Sequence, residues 1–318
     1  MARKPRIHYP GAFYHVILRG NAGNPVFFEV NDRSRFFLLL QEGIERYKHR
    51  IHAYCLMTNH IHLIVQVDEI PLSRIIQNLS FRYTRYVNSI RKQTGHLFQG
   101  RYKALLIDAD SYLLQLTRYI HNNPVRVRIV SHPADYKWSS HPAYLGIVSV
   151  PWLTTEFLLR QFAGTQDQAR KLYTHFQEEG LAEPHRNEFH SGSSAGIILG
   201  DDGFAEKAMA KASRQVENNA TLAQVIGAVC KKYKLRRQDL SGRSRKRDVA
   251  EARALAALLV RESSHLSLTG LAGELGYDLS SLSQAAARIE KKIQSDSGLA
   301  QAADNLKRDL QEKPICQA

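Results

Sequence analysis

His60, Ile61 and His62 are the first residues in this chain whose types and spacing could do chemistry. On a strand successive side chains alternate faces, so His60 and His62 point one way and Ile61 the other. Two imidazoles side by side can hold a divalent ion. A bare His-x-His pair is more often a packing feature, so a second group has to join it. Tyr119 is the candidate, within Arg118-Tyr119-Ile120-His121-Asn122-Asn123-Pro124. Tyr119 and Asn123 stand four residues apart, the separation that brings side chains onto one helical face. Asn123 precedes a proline, where a helix tends to end, so its direction stays open. With a pKa of about 10, a phenol attacks only with assistance. The chain has 14 tyrosines, so packing is the default role for any one of them. His121 could assist proton transfer or serve structure.

The elements that must position these groups follow from periodicity. Phe13 to Leu18 reads as a strand. Asn31 to Tyr47 reads as a helix capped by Asn31 or Asp32, with Phe36, Phe37, Leu40 and Ile44 on one face. Ile51 to Met57 and His60 to Val67 read as strands, with Asn59 in the turn between them. Leu72 to Lys92 carries one apolar stripe, Leu72, Ile75, Ile76, Leu79, Tyr83, Tyr86, Val87 and Ile90. Tyr102 to Ile107 is strand-like, and Asp110 is expected to cap a helix ending near Pro124. The order β-α-β-β-α-β followed by a helix is the ferredoxin-like plan, an antiparallel sheet with two helices on one face. The imidazole face is then open or covered by the helix of Tyr119. The fold class expected is α+β, a ferredoxin-like βαββαβ domain followed by a C-terminal all-α helix-turn-helix domain. Helical packing residues continue to about 180. Residues 181–214, with His190-Ser191-Gly192-Ser193-Ser194, read as a linker. Residues 215–293 are helical, and 294–318 read as a polar tail.

The net charge of +14 is unevenly placed. Residues 1–150 hold 20 basic against 9 acidic side chains, a net +11. Residues 151–213 carry −3 and 214–293 carry +7. Two basic blocks around an acidic spacer favour a polyanionic partner through counterion release. No run of 18 apolar residues indicates a membrane span, and Met1 to Tyr14 lacks the apolar core of a secretory signal. Cys55, Cys230 and Cys316 lie far apart and form no metal or disulfide pattern, which fits a reducing cytoplasm.

The His-hydrophobic-His strand, the long helix after it and the ending Tyr119-Ile120-x-x-Asn123-Pro124-Val125-Arg126 resemble the IS200-like one-tyrosine (HUH) transposases. Within them the chain is similar to the transposases associated with repetitive extragenic palindromes (REP). Arg6-Ile7-x-Tyr9-Pro10-Gly11-Ala12-x-Tyr14-His15-Val16, Gly100-Arg101-Tyr102-Lys103 and Trp138-Ser139-Ser140 share that likeness, which covers about residues 1–180. It implies His60, His62 and Asn123 as metal ligands, with Asn123 where the simplest members carry glutamine. It implies Tyr119 as the nucleophile, forming a 5′-phosphotyrosine, and Mg²⁺ or Mn²⁺ as the ion. Single-stranded or hairpin DNA with REP-like inverted repeats is the implied substrate. Arg82, Arg85, Arg101, Lys103, Arg118, Arg126 and Arg128 are candidates for phosphate contacts, and Arg3, Lys4 and Arg6 for an arm entering a groove. Phe98, Tyr102 and Tyr83 could stack on bases, though core packing suits Tyr83 better.

Residues 215–293 resemble the C-terminal helix-turn-helix of the replication initiator DnaA. Arg243, Arg245, Lys246 and Arg247 would meet the DNA backbone or minor groove. The helix from about Asp278, with Ser280 and Ser281, would read a major groove of duplex DNA. Leu279 stands where that family has histidine. The expectation is therefore a cytoplasmic, nucleoid-associated transposase, monomer or homodimer, with no membrane partner. The alternative is a domesticated, non-catalytic DNA-binding regulator. An RNA-binding module on the same fold would need an aromatic strand signature that is absent.

Overall fold

The computed structural model describes residues 7–184, 186–193, 197–218, 220–241, 244, 246–263 and 265–311. The chain forms two compact units, residues 1–212 and 213–318.

In the first unit, β1 (Phe13–Arg19), α1 (Val30–Tyr47), β2 (Arg50–Leu56), β3 (His60–Gln66), α2 (Leu72–Arg91) and β4 (Lys103–Ile107) follow in the expected order. The sheet runs β2-β3-β1-β4, all antiparallel, which is the ferredoxin-like strand order. The helix carrying the candidate nucleophile is α3 (Ala109–His121), followed by the single turn α4 (Asn123–Arg126). Cross-strand register puts Ile17 opposite His62 and Arg19 opposite His60, so His15, Ile17 and Arg19 share the imidazole face. The opposite face, Ile61, Leu63 and Val65, is fully buried. Leu39 and Leu40 of α1 and Ile75, Ile76 and Leu79 of α2 gather with Leu63 and Val65 on that side. The α2 stripe is narrower than expected, because Ile90 is 60% exposed while Leu72 through Val87 hold the packing contacts. The caps also differ from the sequence reading. Glu29, not Asn31 or Asp32, is the α1 N-cap, and the Asp32 carboxylate accepts from the Phe28 and Glu29 amides at 2.8 and 3.0 Å. Asp108, not Asp110, precedes α3.

The edge strand β2 is covered rather than left open. The Leu56 amide donates to the Trp138 carbonyl at 2.9 Å, and the Tyr54 amide to Ser140 Oγ at 2.9 Å. The Trp138-Ser139-Ser140 segment thus satisfies backbone groups that would otherwise template a foreign strand. Behind α3 stand α5 (His141–Leu145), α6 (Glu156–Leu159) and α7 (Gln166–Glu179). Tyr173 of α7 gathers a buried polar network: its hydroxyl lies 2.7 Å from both His121 Nδ1 and His141 Nδ1, and Gln177 Nε2 donates to it at 3.0 Å. His121 Nε2 meets Ser140 Oγ at 2.6 Å. His121 therefore has the structural role of holding α3 in place.

The segment expected to be a linker belongs, up to residue 212, to this unit instead. It contains α8 (Glu188–Ser191), β5 (Ile198–Leu199), which pairs in parallel with β4, and α9 (Asp202–Asn218). Phe189, Ile198 and Leu199 are completely buried. Three apolar anchors among Gly and Ser suffice to order a stretch whose average composition reads as coil.

In the second unit α10 (Leu222–Tyr233), α11 (Arg237–Ser241), α12 (Arg247–Glu262), α13 (Leu268–Leu275), α14 (Leu279–Ile293) and α15 (Ser297–Gln311) surround an apolar core. Ala252, Leu255, Ala256, Ala257 and Val260 make α12 its buried centre. Gly276, at φ 57°, turns α13 into α14 in the left-handed region that glycine tolerates, and the Asp278 carboxylate caps α14 through the Ser281 amide at 2.7 Å. The supposed polar tail is largely α15, whose Leu299, Ala303 and Leu306 join the core. Its apolar residues are few and small, but they fall on one helical face.

Candidate active site

The local reasons for the site lie in three elements. β3 presents His60 and His62 from alternate positions, and their rings stand perpendicular with centroids 5.0 Å apart. α3 brings Tyr119 over the sheet, 6.4 Å ring to ring from His62. α4 opens with Asn123, because Pro124 fits the first turn of a helix, where its missing N–H costs nothing. The Asn123 side chain lies close enough to the His60 ring to raise its pKa, while its Oδ1 makes no hydrogen bond among the described residues. The near-continuous helical path through Asn122, whose amide still donates to the Arg118 carbonyl at 2.9 Å, keeps Tyr119 and Asn123 on one side.

Two further groups complete the cluster. His15 of β1 lies against His62, rings stacked with centroids 5.1 Å apart and Nε2 2.9 Å from His62 Nδ1. His190 of α8 lies with its Nε2 2.7 Å from the Tyr119 hydroxyl. Neither was singled out from the sequence. His15 could have been found, because the strand reading of Phe13 to Leu18 and the antiparallel plan put it on the imidazole face. His190 sat in the supposed linker and left no periodic signal.

Burial dominates the electrostatics. His62, 1% exposed, is held well below the usual imidazole range by desolvation, reinforced by His15, His60, His190 and Arg126. His60 is lowered too, chiefly by burial. The Tyr119 phenol is pushed up by burial and pulled back by the Arg126 guanidinium, which lies over its ring 4.2 Å from the centroid. Neutral imidazoles are the form that binds metal. His62 Nε2 and Asn123 Oδ1 are buried with no hydrogen-bond partner among the described residues. Two orphaned lone pairs beside a second imidazole form a donor set that suits a divalent ion with mixed nitrogen and oxygen ligands. Among the described residues no group of three or more His, Cys, Asp or Glu side chains is placed to hold a metal.

The basic candidates scatter. Arg126 is in the cluster. Lys103 is exposed on the imidazole face of β4 and adjoins His15. Arg118 turns inward, pairing with Glu183 and donating to the Phe176 carbonyl at 3.1 Å, so it is not free for phosphate. Arg82 pairs with Glu42, Arg85 is exposed beside Phe81, and Arg128 is exposed after α4. Arg101 lines an open groove of about 510 Å³ with Phe81, Phe98, Tyr102, Gln77 and His96. Tyr83 is core, its hydroxyl donating to the Val26 carbonyl at 2.7 Å. In the second unit Lys246, Arg247, Ser280 and Ser281 are exposed. Arg3, Lys4, Arg6, Arg243 and Arg245 lie outside the described residues.

Residues 9–123 match the family described as Transposase IS200 like, and residues 222–289 that described as bacterial DnaA protein helix-turn-helix. The chain thus carries one domain that matches the IS200-like transposase family and one that matches the DnaA helix-turn-helix family. Among curated proteins it resembles the chromosomal replication initiator protein DnaA of Caldanaerobacter subterraneus subsp. tengcongensis, 32% identical over 90 residues, 28% of this chain and 20% of that protein. The DnaA of Jannaschia sp. is 26% identical over 109 residues, 34% of this chain and 23% of that protein. The chain therefore spans about a fifth of the curated relatives it matches. Among solved structures it resembles a REP-associated tyrosine transposase bound to a REP hairpin, with TM-score 0.41 and 15% identity over 48% of this chain and 92% of that one. No helix among the described residues is long and apolar enough to cross a membrane.

Proposed function

We propose that this chain, with its IS200-like transposase domain and DnaA-type helix-turn-helix, is a divalent-metal-dependent endonuclease and strand transferase. Its substrate would be single-stranded, hairpin-forming DNA with inverted repeats of the REP kind. The carrying observation is the convergence of Tyr119 from α3, His62 and His60 from β3 and Asn123 from α4 within one chain. In the reaction Tyr119 Oη attacks the scissile phosphorus and the bond from phosphorus to O3′ breaks. A 5′-phosphotyrosine forms, and the 3′-hydroxyl leaves with a proton from solvent. The phenol proton would pass to His190 Nε2, which lies 2.7 Å from the hydroxyl. One phosphoester bond replaces another, so a second 3′-hydroxyl can reverse the step and join a new end. Arg126 lowers the cost of phenolate character on Tyr119.

His60, His62 and Asn123 would hold Mg²⁺ or Mn²⁺, which when bound neutralises the phosphate and orients it for in-line attack. Imidazole ligands favour Mn²⁺, since Mg²⁺ prefers oxygen. The groove lined by Phe81, Phe98 and Arg101 suits an unpaired base, offering aromatic faces beside a cation. The second unit would hold duplex DNA, with Lys246 and Arg247 on phosphates and the N-terminal end of α14, Ser280 and Ser281, at the groove.

One observation favours the second reading, a DNA-binding regulator without turnover: Tyr119 is only 2% exposed. A single assay decides. The full chain is incubated with a hairpin oligonucleotide drawn from the inverted repeats flanking its gene, with Mn²⁺. The expected product is a denaturant-resistant protein–DNA adduct, absent with chelator and in Tyr119→Phe. A retarded complex with intact DNA and no adduct under any of Mg²⁺ or Mn²⁺ would leave the regulator.

A further inference from the structure

The two imidazoles on β3 do not choose their own tautomers. His15 Nδ1 lies 2.9 Å from the Phe189 carbonyl oxygen, and a carbonyl only accepts. That proton is therefore on His15 Nδ1. The His15 ring is completely buried, where a second, charging proton is costly, and it packs against two further imidazoles, His62 and His190. Its Nε2 is then a bare lone pair, and it faces His62 Nδ1 at 2.9 Å. The one hydrogen between these two nitrogens must belong to His62 Nδ1, and His62 Nε2 must be bare. That atom is the buried one without a partner.

His60 follows the same logic from the other side. Asn59 Nδ2 donates to the Gly23 carbonyl at 3.2 Å, which fixes the orientation of the amide. Asn59 Oδ1 then faces His60 Nδ1 at 2.8 Å and can only accept. His60 therefore also carries its hydrogen on Nδ1 and offers Nε2. Two unrelated anchors, a carbonyl on α8 and a carbonyl on the loop after β1, impose one tautomer on both rings.

We propose that His15 and Asn59 are positioning residues that lock His62 and His60 with Nε2 unprotonated, so that both rings present a lone pair to the same divalent ion. The proposal rests on the reading of His60 and His62 as metal ligands, and its first readout is independent of that reading. Outer partners of this kind orient the ring and raise its basicity, and their loss costs about 10–100-fold in metal affinity.

The test begins with long-range proton–nitrogen correlation spectra of the metal-free full chain, labelled at histidine nitrogen. Both His60 and His62 are expected to show a protonated Nδ1 and a bare Nε2. Mn²⁺ affinity is then measured by electron paramagnetic resonance on wild type, His15→Phe, His15→Gln and Asn59→Ala. His15→Phe and Asn59→Ala should each weaken Mn²⁺ about 10–100-fold. His15→Gln, whose amide oxygen can still accept from His62 Nδ1, should stay within a few-fold of wild type. A wild-type spectrum with the His62 proton on Nε2 overturns the proposal, whatever the variants do. So does unchanged affinity in folded His15→Phe and Asn59→Ala. If the tautomers are as stated and wild type fails to bind Mn²⁺, the positioning for metal falls together with the metal reading, while the tautomer assignment stands.

Discussion

The Tyr119 hydroxyl lies 2.7 Å from His190 Nε2, hydrogen-bonded across 71 residues of sequence. The helix that ends the sheet domain's core and a short turn from a glycine- and serine-rich stretch are thereby joined at the atom expected to attack DNA. His190 also packs edge-on against His62, with ring centroids 6.0 Å apart. An imidazole nitrogen already at hydrogen-bond distance from the nucleophile shortens the list of motions that catalysis needs.

His190→Phe should slow adduct formation on the hairpin substrate by about 100-fold or more, the usual worth of a general base. Binding of the same hairpin should change little. Single-turnover kinetics beside a gel-shift titration separate the two. An unchanged adduct rate would remove His190 from proton transfer and leave solvent as the acceptor.

Stability of the first unit should fall steeply in mild acid. Burial lowers His49, His52 and His141 to about 4 each. In the unfolded chain they titrate near 6.5. Above that pH both states are neutral and the unit has its full stability. Between about 6.5 and 4 the unfolded chain takes up protons that the folded one refuses, at about 1.4 kcal/mol per pH unit for each ring. By pH 5 the loss is on the order of 5 kcal/mol, comparable with the whole stability of a domain. Both tryptophans of the chain, Trp138 and Trp152, lie in this unit, so fluorescence-monitored urea unfolding reports it alone. A midpoint that stays constant from pH 7.5 to 5 would contradict the buried neutral imidazoles.

Tyr173→Phe removes one oxygen and leaves His121, His141 and Gln177 short of a shared partner. Unsatisfied buried groups cost about 1–3 kcal/mol each, so a loss on the order of 3 kcal/mol is expected in the same unfolding assay. Tyr144→Phe, which removes only the hydroxyl that donates to the His52 carbonyl at 2.7 Å, should cost less, about 1 kcal/mol. Equal effects would show that the three-way junction at Tyr173 has no special weight.

Lys246→Ala with Arg247→Ala should weaken duplex binding and flatten its salt dependence. Each lost phosphate contact reduces the slope of log affinity against log salt by about 0.9. The double variant should therefore lose up to about 2 in slope in fluorescence anisotropy with duplex DNA. Adduct formation with the hairpin should be unaffected. A changed adduct yield with an unchanged duplex slope would assign these side chains to the hairpin instead.

Much of this was legible from residue order alone. Alternation fixed the face shared by His60 and His62, the long α2 stripe fixed the face opposite, and the βαββαβ order fixed the sheet. The likeness of residues 215–293 to the DnaA helix-turn-helix marked the second unit, and charge blocks marked both units for a polyanion. These signals are local: they depend on a period of 2 or 3.6 residues, or on a few neighbours, and so survive in one dimension.

What only the tertiary structure decided is everything set by contacts between distant segments. It drew residues 188–193 and 197–199 into the first unit, because Phe189, Ile198 and Leu199 find apolar partners there that composition cannot reveal. It turned Arg118 inward to Glu183 and sent His121 into a structural network. It placed His15 behind His62, and it alone fixes which ring nitrogens carry hydrogen, since a tautomer is chosen by whichever group faces the ring across space.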